Sequence, residues 1–166
     1  EIPAGVTAYT VAIDGEWGLG MRINDGLSYP YQMTLGAITN DSLISEMGCQ
    51  IAEQCTRIGI NVNFAPDIDV NNEPNNPVIG FRSFGEDPDN VARKGTAYAL
   101  ALQNNGVLPS MKHFPGHGNT KTDSHHALPI IKNSLEEIEK IELYPFQYAI
   151  DKGVKGAMVG HLYFPA

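Results

Sequence analysis

The sequence predicts an α/β fold in which parallel strands alternate with helices. Four short segments rich in β-branched, aromatic and apolar residues recur about every 47 residues. The stretches between them show helical spacing of apolar residues, together with residues that start and stop helices. Strands that are apolar along their whole length are typical of a parallel sheet covered on both faces.

The four predicted strands lead into polar residues. They cover residues 6–13, 60–65, 107–111 and 154–160. Asp14 follows the first strand, and Lys112 and His113 follow the third. His161 follows the fourth strand, where a packed, hydrogen-bonded histidine is the commoner interpretation.

Three helices are predicted between the strands. The first covers about residues 41–58 and ends at Gly59, and its apolar residues recur at helical spacing: Leu43, Met47, Ile51, Cys55 and Ile58. The second begins with Asp87 as N-cap and Pro88 at its first position, and it ends at Gly106.

The third helical segment opens with a capping box formed by Ser134 and Glu137. Pro145 predicts a break in this segment. Gly153 predicts the end of its second piece.

The loops after the predicted strands are long. About 26 residues separate Asp14 from its helix, and residues 71–88 and 112–129 are rich in glycine, proline and polar side chains. Chemistry in α/β proteins is located at the carboxyl ends of parallel strands, and loops of this length in a compact domain are usually functional.

Composition restricts the class of function. The formal net charge of −8 argues against nucleic acid and anionic membrane surfaces as main partners. No run of 18 or more apolar residues predicts a membrane span. Residues 1–5 show no basic start followed by an apolar stretch, so no signal peptide is predicted, and a cytoplasmic or periplasmic location stays open.

Four of the five histidines lie within residues 112–126. One interpretation is a metal site, although the spacing matches no familiar metal-binding signature. The other is acid–base chemistry by a histidine beside a carboxylate. Asp123 and His125 are two positions apart and point the same way in an extended loop. Such a carboxylate raises the pKa of the imidazole, which can then donate and accept a proton near neutral pH, unless the pair only anchors the loop.

Residues 112–129, with the sequence KHFPGHGNTKTDSHHALP, resemble the signature of glycoside hydrolase family 3 in its β-N-acetylglucosaminidase branch. Similar matches run in order along nearly the whole chain: DGEWG at 14–18, NFAPDIDV at 63–70 and RSFG at 82–85. The resemblance implies that residues 1–166 are part of a (β/α)8 TIM-type barrel, with about four βα units present and the later part of the barrel missing. It also implies a longer polypeptide.

The resemblance further implies a retaining enzyme that removes β-linked N-acetylglucosamine from non-reducing ends, often of muropeptides, without a metal or other cofactor. His125 would be the general acid/base and Asp123 its partner. The residues expected to hold the sugar are Asp14, Arg22, Arg82, Lys112 and His113. Retaining glycosidases normally use two carboxyl groups. The nucleophile implied here is an Asp outside this segment.

Several alternatives remain at this point. The enzyme could be a phosphorylase that accepts phosphate in place of water, or a family 3 β-glucosidase. A non-catalytic carbohydrate-binding remnant and a metal-dependent hydrolase are also compatible with the residues.

Overall fold

The computed structural model describes residues 9–121, 128–131 and 133–165. Its strands are short: β1 (Ala12–Ile13), β2 (Val62–Asn63), β3 (Leu108–Pro109), β4 (Met111–Phe114) and β5 (Ala157–Val159). All strand pairs are parallel, which confirms the predicted α/β class. The strand predicted at residues 107–111 is divided at Ser110 into β3 and β4. β4 continues to Phe114, so Lys112 and His113 lie within the strand and not after it.

The strands are adjacent in the order in which they occur along the chain. β1 pairs with β2 and β2 with β3, while β4 pairs with β5. An isolated parallel bridge between Asp67 and Lys112 joins the segment after β2 to β4. A doubly wound sheet reverses its strand order at a switch point, whereas a barrel adds strands in sequence. The observed order is therefore that of consecutive barrel strands.

Helices cover this sheet. They are α1 (Gln32–Gly36), α2 (Ser42–Arg57), α3 (Pro88–Asn104), α4 (Leu135–Lys140) and α5 (Tyr144–Asp151), with 3₁₀ turns at Leu19–Met21 and Gly80–Arg82. Within the described residues, no helix is long and apolar enough to cross a membrane.

The predicted helix starts and stops are confirmed. The Asp87 carboxylate accepts a hydrogen bond from the backbone N–H of Asp89 at the start of α3. Ser134 and Glu137 form both halves of the capping box of α4. The break between α4 and α5 lies at residues 141–143, just before Pro145, because this proline fits the first turn of α5.

Two details of the prediction were wrong. The short helix α1 was not anticipated, since its five residues are too few to show a helical period. In α2, Leu43 and Ile58 are exposed, and the buried face instead begins at Ile44 and continues through Met47 and Ile51. This face packs with α3 and the strands around Tyr98 and Leu102 to form the core.

Candidate functional site

A cavity of about 510 Å³ opens where the strands end. Eight of the fourteen lining residues are polar or charged. Asp14 and Glu16 follow β1, and Lys112 and His113 lie on β4. The lining residues are Asp14, Glu16, Met21, Arg22, Phe64, Val78, Arg82, Lys112, His113, His117, Met158, Val159, Gly160 and His161. This is the edge at which the sequence predicted chemistry.

Lys112 connects two carboxylates at the base of the cavity. Its ammonium group lies 2.8 Å from Asp14 Oδ1 and 2.8 Å from Glu16 Oε1. The Lys112 side chain is only 3% exposed, so its charge is compensated by these neighbours rather than by water. Burial alone would raise the pKa of Asp14, but Lys112 and then Arg22 outweigh it and hold that pKa below its ordinary value.

Arg82 also binds the buried Glu16 carboxylate. Its Nη2 and Nε atoms lie 2.7 and 3.0 Å from the two oxygens of Glu16, which is a bidentate pair. Burial would raise the pKa of Glu16, but Arg82 and Lys112 together lower it. Glu16 is therefore an ionised, fully buried carboxylate that fixes both cations in the cavity wall.

Asp69 accepts hydrogen bonds from β4 and from the segment after it. Its Oδ2 lies 2.7 Å from Nδ1 of His113, and its Oδ1 accepts the backbone N–H of His117 at 2.6 Å. Burial would raise the pKa of Asp69, but His113 and these hydrogen bonds lower it. The His113 ring is thus fixed with Nδ1 toward Asp69, which leaves Nε2 for a ligand.

Asp67 and His117 are buried polar groups whose pKa values are both shifted in favour of the neutral form. Burial and the nearby Asp69 charge raise the pKa of Asp67 well above its ordinary value. Burial lowers the pKa of His117. Asp67 Oδ2 and both ring nitrogens of His117 have no hydrogen-bond partner among the described residues.

Asp67, Asp69 and His113 are also a group whose ligand atoms all lie within 4.8 Å of one another. The His113–Asp69 hydrogen bond already occupies two of these atoms, and Arg82 Nη2 lies 3.6 Å from Asp67 Oδ2. In this structure Asp69 is therefore paired with His113, and Asp67 lies beside the Arg82 guanidinium.

The structure brings five of the seven predicted site residues into this one cavity: Asp14, Arg22, Arg82, Lys112 and His113. Their roles in holding a sugar stay predictions. The other two, Asp123 and His125, lie outside the described residues. Arg22 is the most loosely held of the five, with an Nη2 to Asp14 Oδ2 distance of 3.3 Å and a half-exposed side chain.

Sequence reasoning gave no site role to Glu16 and His117, which line the cavity, or to Asp69, which binds His113 and His117. Glu16 lies in the quoted DGEWG motif, two positions after Asp14, and this spacing was the available signal. His161, which was set aside, also lines the cavity, together with Met158 from β5. The position of His161 directly after the fourth predicted strand was the available signal, whereas no local pattern marked Met158.

Comparisons with known proteins agree on one family. The family described as "Glycosyl hydrolase family 3 N terminal domain" matches residues 4–166. Beta-hexosaminidase A of Pseudoalteromonas piscicida is 41% identical over 162 residues, covering 94% of this chain and 27% of that protein.

Solved structures give the same result. A glycoside hydrolase family 3 β-N-acetylglucosaminidase from Paenibacillus sp. str. FPU-7 aligns with a TM-score of 0.91 and 43% identity, covering 96% of this chain and 31% of that one. NagZ from Neisseria gonorrhoeae aligns with a TM-score of 0.85 and 32% identity, covering 94% and 47%. The chain thus spans less than half the length of these relatives.

Proposed function

The chain belongs to the N-terminal domain family of the family 3 glycosyl hydrolases, and from this membership we propose that the protein is a retaining β-N-acetylglucosaminidase. It would release β-linked N-acetylglucosamine, or a closely related N-acetylhexosamine, from non-reducing ends of glycans such as muropeptides. The names of the similar proteins, β-hexosaminidase and β-N-acetylglucosaminidase, support this substrate class.

The observation that carries the proposal is the charge-paired wall of the cavity. Lys112 and Arg82 are held by the buried Glu16 carboxylate, and both still line the cavity. A neutral sugar is recognised by directional hydrogen bonds to its hydroxyl groups, and guanidinium, ammonium and carboxylate groups supply them. Groups locked by ion pairs supply these bonds without losing side-chain freedom on binding.

The proposed reaction has two displacement steps. In the first, a carboxylate oxygen forms a bond to the anomeric carbon while the glycosidic bond breaks and His125 gives its proton to the leaving oxygen. In the second, His125 takes a proton from water, the water oxygen bonds to the anomeric carbon, and the carboxylate leaves. Asp123 would hold the imidazole orientation throughout.

We assign the nucleophile to an Asp that lies outside residues 1–166, on a later strand of the barrel. Asp67 and Asp69 are poor candidates because both are fully buried beneath the cavity. Burial and the Asp69 charge raise the pKa of Asp67 well above its ordinary value, and Asp69 accepts hydrogen bonds from His113 and His117. Residues 1–166 would then be the first part of the barrel, and β1 and β5 would pair with its remaining strands.

The test is release of nitrophenol from an aryl N-acetyl-β-glucosaminide by the full-length protein, with the matching β-glucoside as control. We expect turnover of the first substrate and at least about 100-fold lower turnover by His125→Ala, which removes the general acid/base. Preference for the glucoside would indicate a β-glucosidase. A sugar 1-phosphate formed in phosphate buffer would indicate a phosphorylase, and loss of activity with chelator a metal-dependent hydrolase. No turnover of either glycoside would refute the proposal.

A further inference from the structure

Glu142 is a buried carboxyl group that does not line the cavity. It lies between α4 and α5 and is 1% exposed. Its Oε1 accepts a hydrogen bond of 3.1 Å from the side-chain amide of Asn72, which lies 70 positions earlier in the loop after β2. The two long loops at this end of the sheet are thereby connected to the α4–α5 turn.

The Glu142 side chain also packs against the backbone that follows β4. A methyl group placed on Gly116 would lie 2.6 Å from Cβ and 2.9 Å from Cγ of Glu142. The glutamate therefore occupies the space directly beside Gly116, whose φ of 140° is one that other residues rarely adopt.

Other side chains hold the next residues of the same segment. Asp69 accepts the backbone N–H of His117, and the Asn76 amide donates to the carbonyl oxygens of His117 and Gly118 at 2.8 and 3.0 Å. Asn119 donates to Asn133 at 2.6 Å. Residues 116–119 are therefore fixed from the β2 loop and from the segments before and after α4.

We propose that Glu142 is a positioning residue for the acid/base chemistry. By joining Asn72 to the backbone at Gly116, it would fix residues 116–119, from which the chain continues to Asp123 and His125. The inference rests on the proposed function, because it concerns proton donation by His125. General acid catalysis requires the proton donor within hydrogen-bond reach of the leaving oxygen. Displacement of residues 116–119 would therefore weaken proton donation first.

Glu142 acts here as a hydrogen-bond acceptor and as a packing group, and neither role needs a charge. Burial raises the pKa of Glu142, against smaller opposing effects of Asn72 and Asn119. Its function should therefore be retained by a neutral isostere. Glu142→Gln keeps the acceptor oxygen for Asn72 and the packing against Gly116, whereas Glu142→Ala removes both.

The experiment measures kcat/KM of the full-length protein on aryl N-acetyl-β-glucosaminides with leaving groups from dinitrophenol to phenol. Dinitrophenolate leaves without a proton, while phenol needs one. We expect Glu142→Ala to lower kcat/KM about 30-fold on the phenyl substrate but at most about threefold on the dinitrophenyl substrate. Glu142→Gln should stay within about threefold of the wild type on both. Glu139→Ala is the matched control, since Glu139 is exposed on α4.

Equal losses on both substrates would overturn the inference, because they indicate general damage or weaker sugar binding. If Glu142→Ala does not fold, Asn72→Ala tests the same connection from a half-buried position and should show the same dependence on the leaving group. His125→Ala is measured in parallel. If His125→Ala shows no dependence on the leaving group, the proposed function fails; if only the Glu142 and Asn72 variants lack it, the positioning role alone fails.

Discussion

Replacing Glu16 by Gln tests whether the cavity wall depends on a buried charge. Glu16 is 0% exposed, and its two oxygens accept from Arg82 at 2.7 and 3.0 Å and from Lys112 at 2.8 Å. A glutamine would remove the charge and present an amide donor to these cationic donors. Removing one partner of a buried ion pair costs about 3–5 kcal/mol.

The expected cost lies at the lower end of that range. Lys112 keeps its contact with Asp14, and Arg82 keeps its hydrogen bond to the Val78 carbonyl oxygen. We therefore expect the free energy of unfolding to fall by about 3 kcal/mol. The exposed pair of Glu53 and Arg57 is the matched control, and Glu53→Gln should cost less than about 0.5 kcal/mol.

The assay is urea-induced unfolding of the full-length protein. Unfolding is detected by pulsed hydrogen exchange in peptides from residues 60–121. These peptides report on the strands and helix that surround Glu16, whatever other domains the polypeptide carries. A cost below about 1 kcal/mol for Glu16→Gln, with a normal control, would refute a buried, ionised Glu16.

Three further predictions address the site. Asp67→Asn should become more stable relative to the wild type as pH rises, because the pKa of Asp67 is raised in the folded state. The wild type then loses about 1.4 kcal/mol of stability per pH unit between the unfolded and folded pKa values of Asp67. Equal pH profiles of unfolding for the two proteins would contradict this. Asp14→Asn should raise KM for the aryl glycoside about 10-fold with little change in kcat, and an unchanged KM would exclude a sugar contact. Gly118→Ala would place a methyl group 1.7 Å from the Val70 carbonyl oxygen and should lower the free energy of unfolding by about 1–3 kcal/mol, as measured by urea titration.

Local sequence signals predicted most of the framework. The helix boundaries at Asp87, Ser134 and Gly59 depend on capping chemistry between neighbours in sequence, so they could be identified without knowledge of the fold. Strand positions were recognised from apolar runs, but the strands observed are much shorter, because only a few residues in each run pair regularly.

The site was only partly predictable because its organisation is non-local. Lys112 and Asp14 are 98 positions apart, and His113 and Asp69 are 44 apart. Sequence alone marked the polar residues after each strand, and the resemblance selected five that converge. The sequence could not identify the buried carboxylates of Glu16 and Asp69 as the groups that orient these side chains, because this orientation depends on packing between strands.

The charged side chains around the cavity are held by ion pairs with one another. Although the chain has a formal net charge of −8, each cation among the described lining residues has a carboxylate partner. Asp14 and Glu16, whose pKa values are lowered, contact the three cations Arg22, Arg82 and Lys112. Asp69, which is not a lining residue, is paired with His113. Asp67, also outside the lining, has a pKa raised by burial and by the Asp69 charge. A sugar hydroxyl needs fixed donors and acceptors, and the ion-paired side chains of the cavity wall supply both.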